Sequence, residues 1–279
     1  MATTGFSVLM SVYYKEQPEF FDLALDSILV HQSVPPNEFV LVCDGGLTDG
    51  LESVITKYKE LFPDILKVYR KENGGLGKAL NFGLDKCSYP LVARADSDDV
   101  CDCHRFEKQL AYMEAHPEIG ISSTYIDEFE TDWTKPLRVR TVPLDHEDIV
   151  KMVRFRNPFN HMTVMMKREQ VLAVGSYQDV MFVEDHYLWL RATVNGVKMG
   201  NIGEILVHAR VGKGMLKRRS NPQYITGWRV LNKYMRANGM IGWAGYLGNM
   251  IMVRLFVYTP PVIKDFLYNK ILRKKVNVS

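Results

Sequence analysis

An α/β fold built on a doubly wound sheet, followed by a basic helical extension, is expected from two features of the chain. Strand-like and helix-like runs alternate four times in the first hundred residues, and the charge changes sign near residue 210. Alternating segments of this length build a parallel sheet, because each helical crossover returns the chain to the same strand direction.

Residues 6–13 (FSVLMSVY) are a short, apolar, β-prone run. Polar Lys15-Glu16-Gln17-Pro18 follows, and residues 20–30 then carry apolar side chains at helical spacing. A second buried strand over 38–43 (EFVLVC) runs into Asp44-Gly45-Gly46 and a helix over 51–61. A third strand over 66–69, a third helix over 77–85 and a fourth strand over 91–95 complete the alternation. Beyond residue 105 the pattern loosens into a helix over 105–116, a strand over 119–129 and a helix over 145–155 capped by Asp145. A β-rich MTVMMK run lies within 157–168, a helix over 183–195 opens on Glu184-Asp185, and a strand over 205–210 ends this part. Residues 1–210 thus read as one domain and 211–279 as the extension, with no repeats, low-complexity tracts or long linker.

The 279 residues, 47% apolar and 24% charged, suffice for one sizeable core and exclude a disulfide-stapled miniprotein, a coiled coil or a disordered tail. The net charge of +3 hides a division: residues 1–209 hold 21 Lys and Arg against 31 Asp and Glu, whereas 210–279 hold 14 against Asp265 alone. An acidic body suggests chemistry there, and a basic tail suggests an anionic partner, nucleic acid or a membrane surface. Cys43, Cys87, Cys101 and Cys103 are too few and too irregular for a disulfide framework, and the N-terminus has no basic segment before its first apolar run. A reducing, cytosolic address follows as the expectation.

In a doubly wound sheet, ligands gather beyond the C-terminal strand ends, where the strand order reverses. Asp96-Ser97-Asp98-Asp99 stands after the fourth strand, and three carboxylates there repel unless a cation intervenes. A hard divalent ion, Mg2+ or Mn2+, suits carboxylate, phosphate and water oxygens together. The plainer alternative is a solvated acidic turn. Asn73-Gly74-Gly75-Leu76-Gly77-Lys78 offers backbone N–H groups and an ammonium at a helix start, either an anion cradle or a flexible turn. It matches neither a Walker loop nor a dinucleotide fingerprint. Glu184 and Asp185 could furnish a general base at a pocket edge or simply complement a helix dipole. Cys101-Asp102-Cys103-His104 lacks the second ligand pair of a zinc site, and no GxSxG nucleophile elbow occurs.

Taken in order over residues 5–210, SVLMSVY, LVCDGG, NGGLGKALNFGL, ARADSDD, RFEKQL, NPFNHMTVMMKR and VEDHYLWLR resemble a family 2 glycosyltransferase. They are most similar to the bacterial branch that builds capsular, exopolysaccharide and O-antigen repeats. The resemblance implies the GT-A fold, a Rossmann-like doubly wound mixed sheet, with residues 1–100 as the nucleotide-sugar-binding half and 101–210 as the acceptor-side half. It places Tyr13 and Glu16 in the first nucleotide-contacting loop, Asp44 at the base, and Lys78 beside the donor. Asp96 would lie near the ribose, Asp98 would ligate Mn2+ or Mg2+, and Asp185 would be the catalytic base. Arg94 and Arg105 either contact phosphate or neutralise the acids, His161 either lines the pocket or is structural, and Glu184 either positions Asp185 or caps its helix. Arg210, Arg218 and Arg219 resemble the variable basic segment that folds over the donor as a lid. Val-His-Ala-Arg-Val departs there from the commoner Tyr-Arg-x-His, which leaves His208 without a carried-over role.

The expected reaction is inverting, metal-dependent transfer of a hexose from a nucleoside-diphosphate sugar, UDP-linked, to a lipid-pyrophosphate-linked saccharide at the inner face of the cytoplasmic membrane. A sugar-1-phosphate nucleotidylyltransferase would carry a Gly-rich loop where YYKEQPEF stands, and Asp96, Asp98 and Asp185 speak against a non-catalytic sugar-nucleotide-binding partner of an assembly complex. In the extension, Trp228, Tyr234, Trp243, Tyr246 and Phe256 are interleaved with Lys and Arg, and the apolar run over 239–253 contains Asn249 and is followed by Arg254. That run is shorter than the about 20 residues of a spanning helix. It is expected to lie as an interfacial amphipathic helix on anionic lipid; the plainer alternative is a helical pair packed on the body or on a second subunit, a homo-oligomer. No recognised module accompanies the charge, so nucleic acid is not expected.

Overall fold

The computed structural model describes residues 5–212, 221–260, 263 and 274–275. Strands β1 (Phe6–Val12), β2 (Glu38–Asp44), β3 (Leu66–Lys71) and β4 (Leu91–Ala95) alternate with helices α1 (Pro18–Leu29), α2 (Asp49–Leu61) and α3 (Leu76–Lys86). β1 lies between β2 and β4 and is parallel to both, and β3 extends the sheet beyond β2. The chain therefore winds one way from β1 to β3 and the other way to β4. The crevice between the ends of β1 and β4 is the switch in strand order.

The local chemistry accounts for these elements. Every residue of β2 is buried, as a central parallel strand covered on both faces requires. Pro18 starts α1 where its missing N–H has no cost, and Thr48 caps α2 by accepting the Leu51 N–H. Gly75, at φ 89°, makes the left-handed turn from which α3 departs.

The second half makes the sheet mixed. Beyond β5 (Val100–Cys101) and α4 (Arg105–Ala115) come β6 (Ile119–Phe129), β7 (Arg138–Arg140), α5 (His146–Met152), β8 (Met165–Lys167), α6 (Arg168–Ala173), α7 (Glu184–Val194) and β9 (Lys198–Arg210). β8 runs antiparallel to both β4 and β6, whereas β9 runs parallel to β6 and antiparallel to β5. A short β10 (Lys274–Lys275) pairs with β7.

Several expectations need correcting here. The last strand is 13 residues long rather than the six of 205–210, and it bends through register breaks against β6. The helix expected over 145–155 ends at Met152, and the Asp145 side chain makes no capping hydrogen bond. Residues 157–168 hold only a 3-10 turn, His161–Thr163, before β8. The two-residue β5, the three-residue β7 and the six-residue α6 had no periodicity long enough to declare them.

The extension forms two helices, α8 (Gln223–Ala237) and α9 (Trp243–Tyr258). Gly239, at φ 70°, breaks the expected 239–253 helix at its start, and α9 passes through Arg254 instead of stopping there. α8 is the amphipathic member: Ile225, Trp228, Leu231 and Met235 join the body's core beside α7. The extension is a packed helical pair, with Arg229, Lys233 and Arg236 on α8 and Arg254 alone on the apolar helix. The charged LRKKV segment falls largely outside the described residues, as do Arg218 and Arg219.

α3 seats on the sheet through Gly83, where a Cβ would stand 2.7 Å from Val42 Cγ2 and would also collide with Leu9 Cδ1. Gly83→Val is expected to destabilise the fold by about 2 kcal/mol through overpacking, read from urea denaturation. A loss near zero would contradict this seating of α3.

Candidate active site

β4 delivers Asp96, Asp98 and Asp99 to the switch crevice, with one carboxylate oxygen from each lying within 4.8 Å of the others. At that separation, two ionised carboxylates repel by about 3 kcal/mol at an effective dielectric near 20. Asp99 is buried; its burial and the charges of Asp98 and Asp96 hold its carboxyl well above the usual range, against a hydrogen bond accepted from the Arg210 backbone N–H at 2.8 Å. Asp96 is offset by an ion pair with Arg94. An all-oxygen set at this spacing fits a hard divalent cation.

Arg94 lies in the interior of β4 and is 2% exposed. One terminal nitrogen serves Asp96, while Nε and the other terminal nitrogen have no hydrogen-bond acceptor. A buried guanidinium with open N–H groups costs free energy unless a ligand fills them. Arg105, by contrast, is committed internally to the Arg94 carbonyl (2.6 Å), Gln109 and Cys101. It supports β4 and does not reach the acid turn's carboxylates in these contacts.

The loops around the crevice are tied to one another. Ser97 Oγ donates to Glu16 at 2.7 Å, joining the acid turn to the loop after β1, where Tyr13 stays exposed. Asp44 organises the glycine loop: its carboxylate pairs with Lys71 at 2.7 Å and accepts the Gly74 and Gly75 N–H groups, both at 2.9 Å. Lys78, on the first turn of α3, is exposed and pairs with Asp179 at 3.0 Å.

Across the crevice, α7 presents Glu184 and Asp185. Both Asp185 oxygens are oriented, one by Asn157 Nδ2 at 2.5 Å and one by the His186 N–H at 2.7 Å. Glu184 packs beneath Gly77; burial and the neighbouring Asp185 charge push its carboxyl up to about 7. His161 bonds Tyr177 Oη at 2.9 Å, and its enclosure and the Arg94 charge hold it well below its ordinary value, so it is neutral near pH 7. Burial holds the Tyr177 hydroxyl well above its ordinary value, with the Arg94 charge opposing and those of Asp185, Glu184 and Asp96 adding to it. Arg210 is fixed at the rim: Nε donates to the Asp98 carbonyl at 3.1 Å, and the guanidinium lies 3.8 Å over Phe20. His208 pairs with Asp127 at 2.9 Å and stacks near Trp133.

The sequence model of Glycosyl transferase family 2 matches residues 7–175. The chain belongs to this family. The glycosyltransferase is 38% identical over 268 residues to the amylovoran biosynthesis glycosyltransferase AmsE of Erwinia amylovora, covering 95% of this chain and 98% of that protein. It is 36% identical over 274 residues to the UDP-Gal:alpha-D-GlcNAc-diphosphoundecaprenol beta-1,3-galactosyltransferase of Escherichia coli, covering 98% of each. Among solved structures, TarS of S. aureus in complex with UDP-GlcNAc superposes with a TM-score of 0.66 at 17% identity, over 95% of this chain and 76% of that one. The mannosyltransferase PcManGT from Pyrobaculum calidifontis, in complex with GDP-Man and Mn2+, gives 0.62 at 18% identity, over 94% and 72%. These likenesses carry the GT-A fold.

Three participants were not singled out from sequence: Asn157, Tyr177 and Lys71. Asn157 stood inside a quoted motif without a distinguishing signal. Tyr177 and Lys71 are brought in by tertiary packing, which periodicity does not encode.

Folded Glu184 retains its proton to about pH 7, whereas the unfolded chain releases it near its ordinary 4.5. Folding therefore takes up a proton in this window, and stability falls as pH rises through it. Glu184→Gln is expected to flatten that fall by on the order of 2 kcal/mol, read from denaturation midpoints between pH 5 and 8. A wild-type profile with no such fall would contradict the protonated assignment.

Proposed function

We propose that this glycosyltransferase moves a hexose, with inversion, from a UDP-sugar to a lipid-pyrophosphate-linked saccharide. The observation that carries the reading is the convergence of an acid turn and an oriented, separate carboxylate, Asp185, on one crevice through Arg94 and Tyr177. The name of the Escherichia coli relative supports the UDP-linked donor and the lipid-linked acceptor.

Asp98 and Asp96 would hold the divalent ion, Mn2+ or Mg2+, with Asp99 beside them. When bound, that ion offsets charge developing on the departing diphosphate. Arg94, buried behind Asp96, and the exposed Lys78 would offset charge of the same anionic ligand, while Tyr13, Glu16 and the loop shaped by Asp44 border the nucleotide. Asp185 takes the acceptor hydroxyl's proton as that oxygen forms its bond to C1. The bond from C1 to the diphosphate oxygen breaks with its electron pair going to the diphosphate, so the anomeric centre inverts. Asn157 and the His186 N–H leave the Asp185 carboxylate little rotational freedom, which lowers the entropic cost of proton transfer. Glu184 and His161 line the acceptor side, and Arg210, held to the Asp98 carbonyl, adds positive charge at the rim.

Residues 1–210 constitute the catalytic unit and 211–279 the extension that keeps the enzyme peripheral on the inner membrane face. No helix among the described residues is long and apolar enough to cross a membrane.

Asp185→Asn is expected to lower transfer by about 10²-fold or more while leaving UDP-sugar binding intact. Radiolabel transfer and calorimetric donor titration check this pair of outcomes. Unchanged turnover would remove Asp185 from the base role. Chelation by EDTA is expected to stop transfer, with Mn2+ or Mg2+ restoring it.

A further inference from the structure

The α8–α9 hairpin carries a surface that sugar transfer does not use. α9 is apolar apart from Asn249 and the exposed Arg254, whose guanidinium donates to the Met250 carbonyl, yet only Met250, Val253 and Val257 on its inner side are buried with Asn249. Leu247, Ile251, Leu255 and Tyr258 remain 57–69% exposed and follow one another at helical spacing, so they form a single stripe along about 17 Å of helix. A helix with so few polar residues is stable where both sides are covered, and the protein covers one, while the long stem of Arg254 can lie along the stripe with its charge at the surface.

At the start of the stripe, Lys233, Arg236, Trp243 and Tyr246 line a cleft of about 270 Å³. The Arg236 guanidinium lies 3.6 Å over the Trp243 ring, which itself meets Tyr246 edge-on at 5.8 Å. Neither helix contains an acidic residue, and 210–279 contain Asp265 alone. Cations flanking an apolar stripe match the layered chemistry of a lipid leaflet: phosphate outside, acyl chains beneath. A second copy would set one strongly basic extension against another and is disfavoured by charge.

We infer that this hairpin docks on an anionic membrane surface, with the α9 stripe entering the acyl boundary and the Lys233–Arg236 cleft taking a lipid headgroup phosphate. The inference rests on the lipid-linked acceptor reading above and names the device that brings the enzyme to it. The hairpin is fastened to the body: Asn249 donates to Asn232 at 2.9 Å and to the Arg154 carbonyl at 2.8 Å, and Trp228 and Tyr234 pack edge-on against His186 and Tyr187 of α7. Docking therefore also sets the orientation of the helix that bears Asp185.

The test is co-flotation of the full chain with phosphatidylcholine vesicles, with and without phosphatidylglycerol, alongside transfer from a UDP-hexose panel to a short-chain soluble acceptor. Wild type is expected to bind the phosphatidylglycerol vesicles at least about tenfold better. Lys233→Glu with Arg236→Glu is expected to cancel that preference, and Leu247→Asn, Ile251→Asn and Leu255→Asn together to lower binding to either vesicle by about tenfold or more. Melting temperature and soluble transfer stay at wild-type values in both variants, because all five side chains are exposed and outside the crevice. Absent wild-type flotation, or flotation unaffected by the triple change, overturns the inference. So does a solution dimer that the triple change dissociates, or retention of the protein by an acidic protein partner but not by vesicles. Flotation that behaves as expected while wild type transfers no sugar supports docking and counts against the transfer reading alone.

Discussion

Mutual repulsion among Asp96, Asp98 and Asp99 is the constraint around which the rest of the site is arranged. A buried strand delivers three acids within 4.8 Å, and each pair costs about 3 kcal/mol if ionised at an effective dielectric near 20. The fold offsets this in parts. Arg94 neutralises Asp96 from below, the Arg210 backbone reaches Asp99 from β9, and Ser97 ties the turn to Glu16. These contacts hold the turn in place and still leave a concentration of oxygen ligands facing the crevice. On the proposed reading, a cation and the diphosphate it carries would complete the charge balance, with the buried Arg94 held behind Asp96.

The same economy appears on the other walls. Asp44 spends its carboxylate on Lys71 and two glycine N–H groups, so its contribution to the donor site is made through the loop it shapes. Asp185 has both oxygens engaged, one by Asn157 and one by its own helix, which aims the carboxylate. Glu184, adjacent in sequence and half-buried, has its carboxyl pushed up to about 7 by desolvation and the Asp185 charge.

Most of the sheet was legible because its strands obey simple rules: β2 is apolar throughout, β6 runs the full expected span, and each βα unit repeats strand, loop and helix. The ends of those strands were legible for the same reason, which brought Asp44, Asp96, Asp98 and the glycine loop to one edge. Pieces of two or three residues, such as β5 and β7, exist through pairing with β9 and β6 and have no local signature. Tyr177 and Lys71 entered the site in the same way, through partners 16 and 27 residues distant. The extension was misjudged for a different reason. Its apolar run and its cations were read as one amphipathic helix, whereas Gly239 divides them between two, with Arg229, Lys233 and Arg236 on α8 and only Arg254 on α9.

Charge then links the two parts of the chain. On the proposed reading, the acidic body would gather a cation and a diphosphate at one sheet edge, and the basic hairpin, packed directly on α7, would turn the same body toward an anionic surface. The claim on which this account depends is that the acid turn is a cation site completed by the donor's diphosphate. Mn2+ binding to the full chain, measured by electron paramagnetic resonance with and without UDP, tests it most directly. The account predicts saturable binding that tightens about tenfold or more with UDP, by reciprocal linkage, and that Asp98→Asn abolishes. Mn2+ affinity indifferent both to UDP and to Asp98→Asn would contradict it.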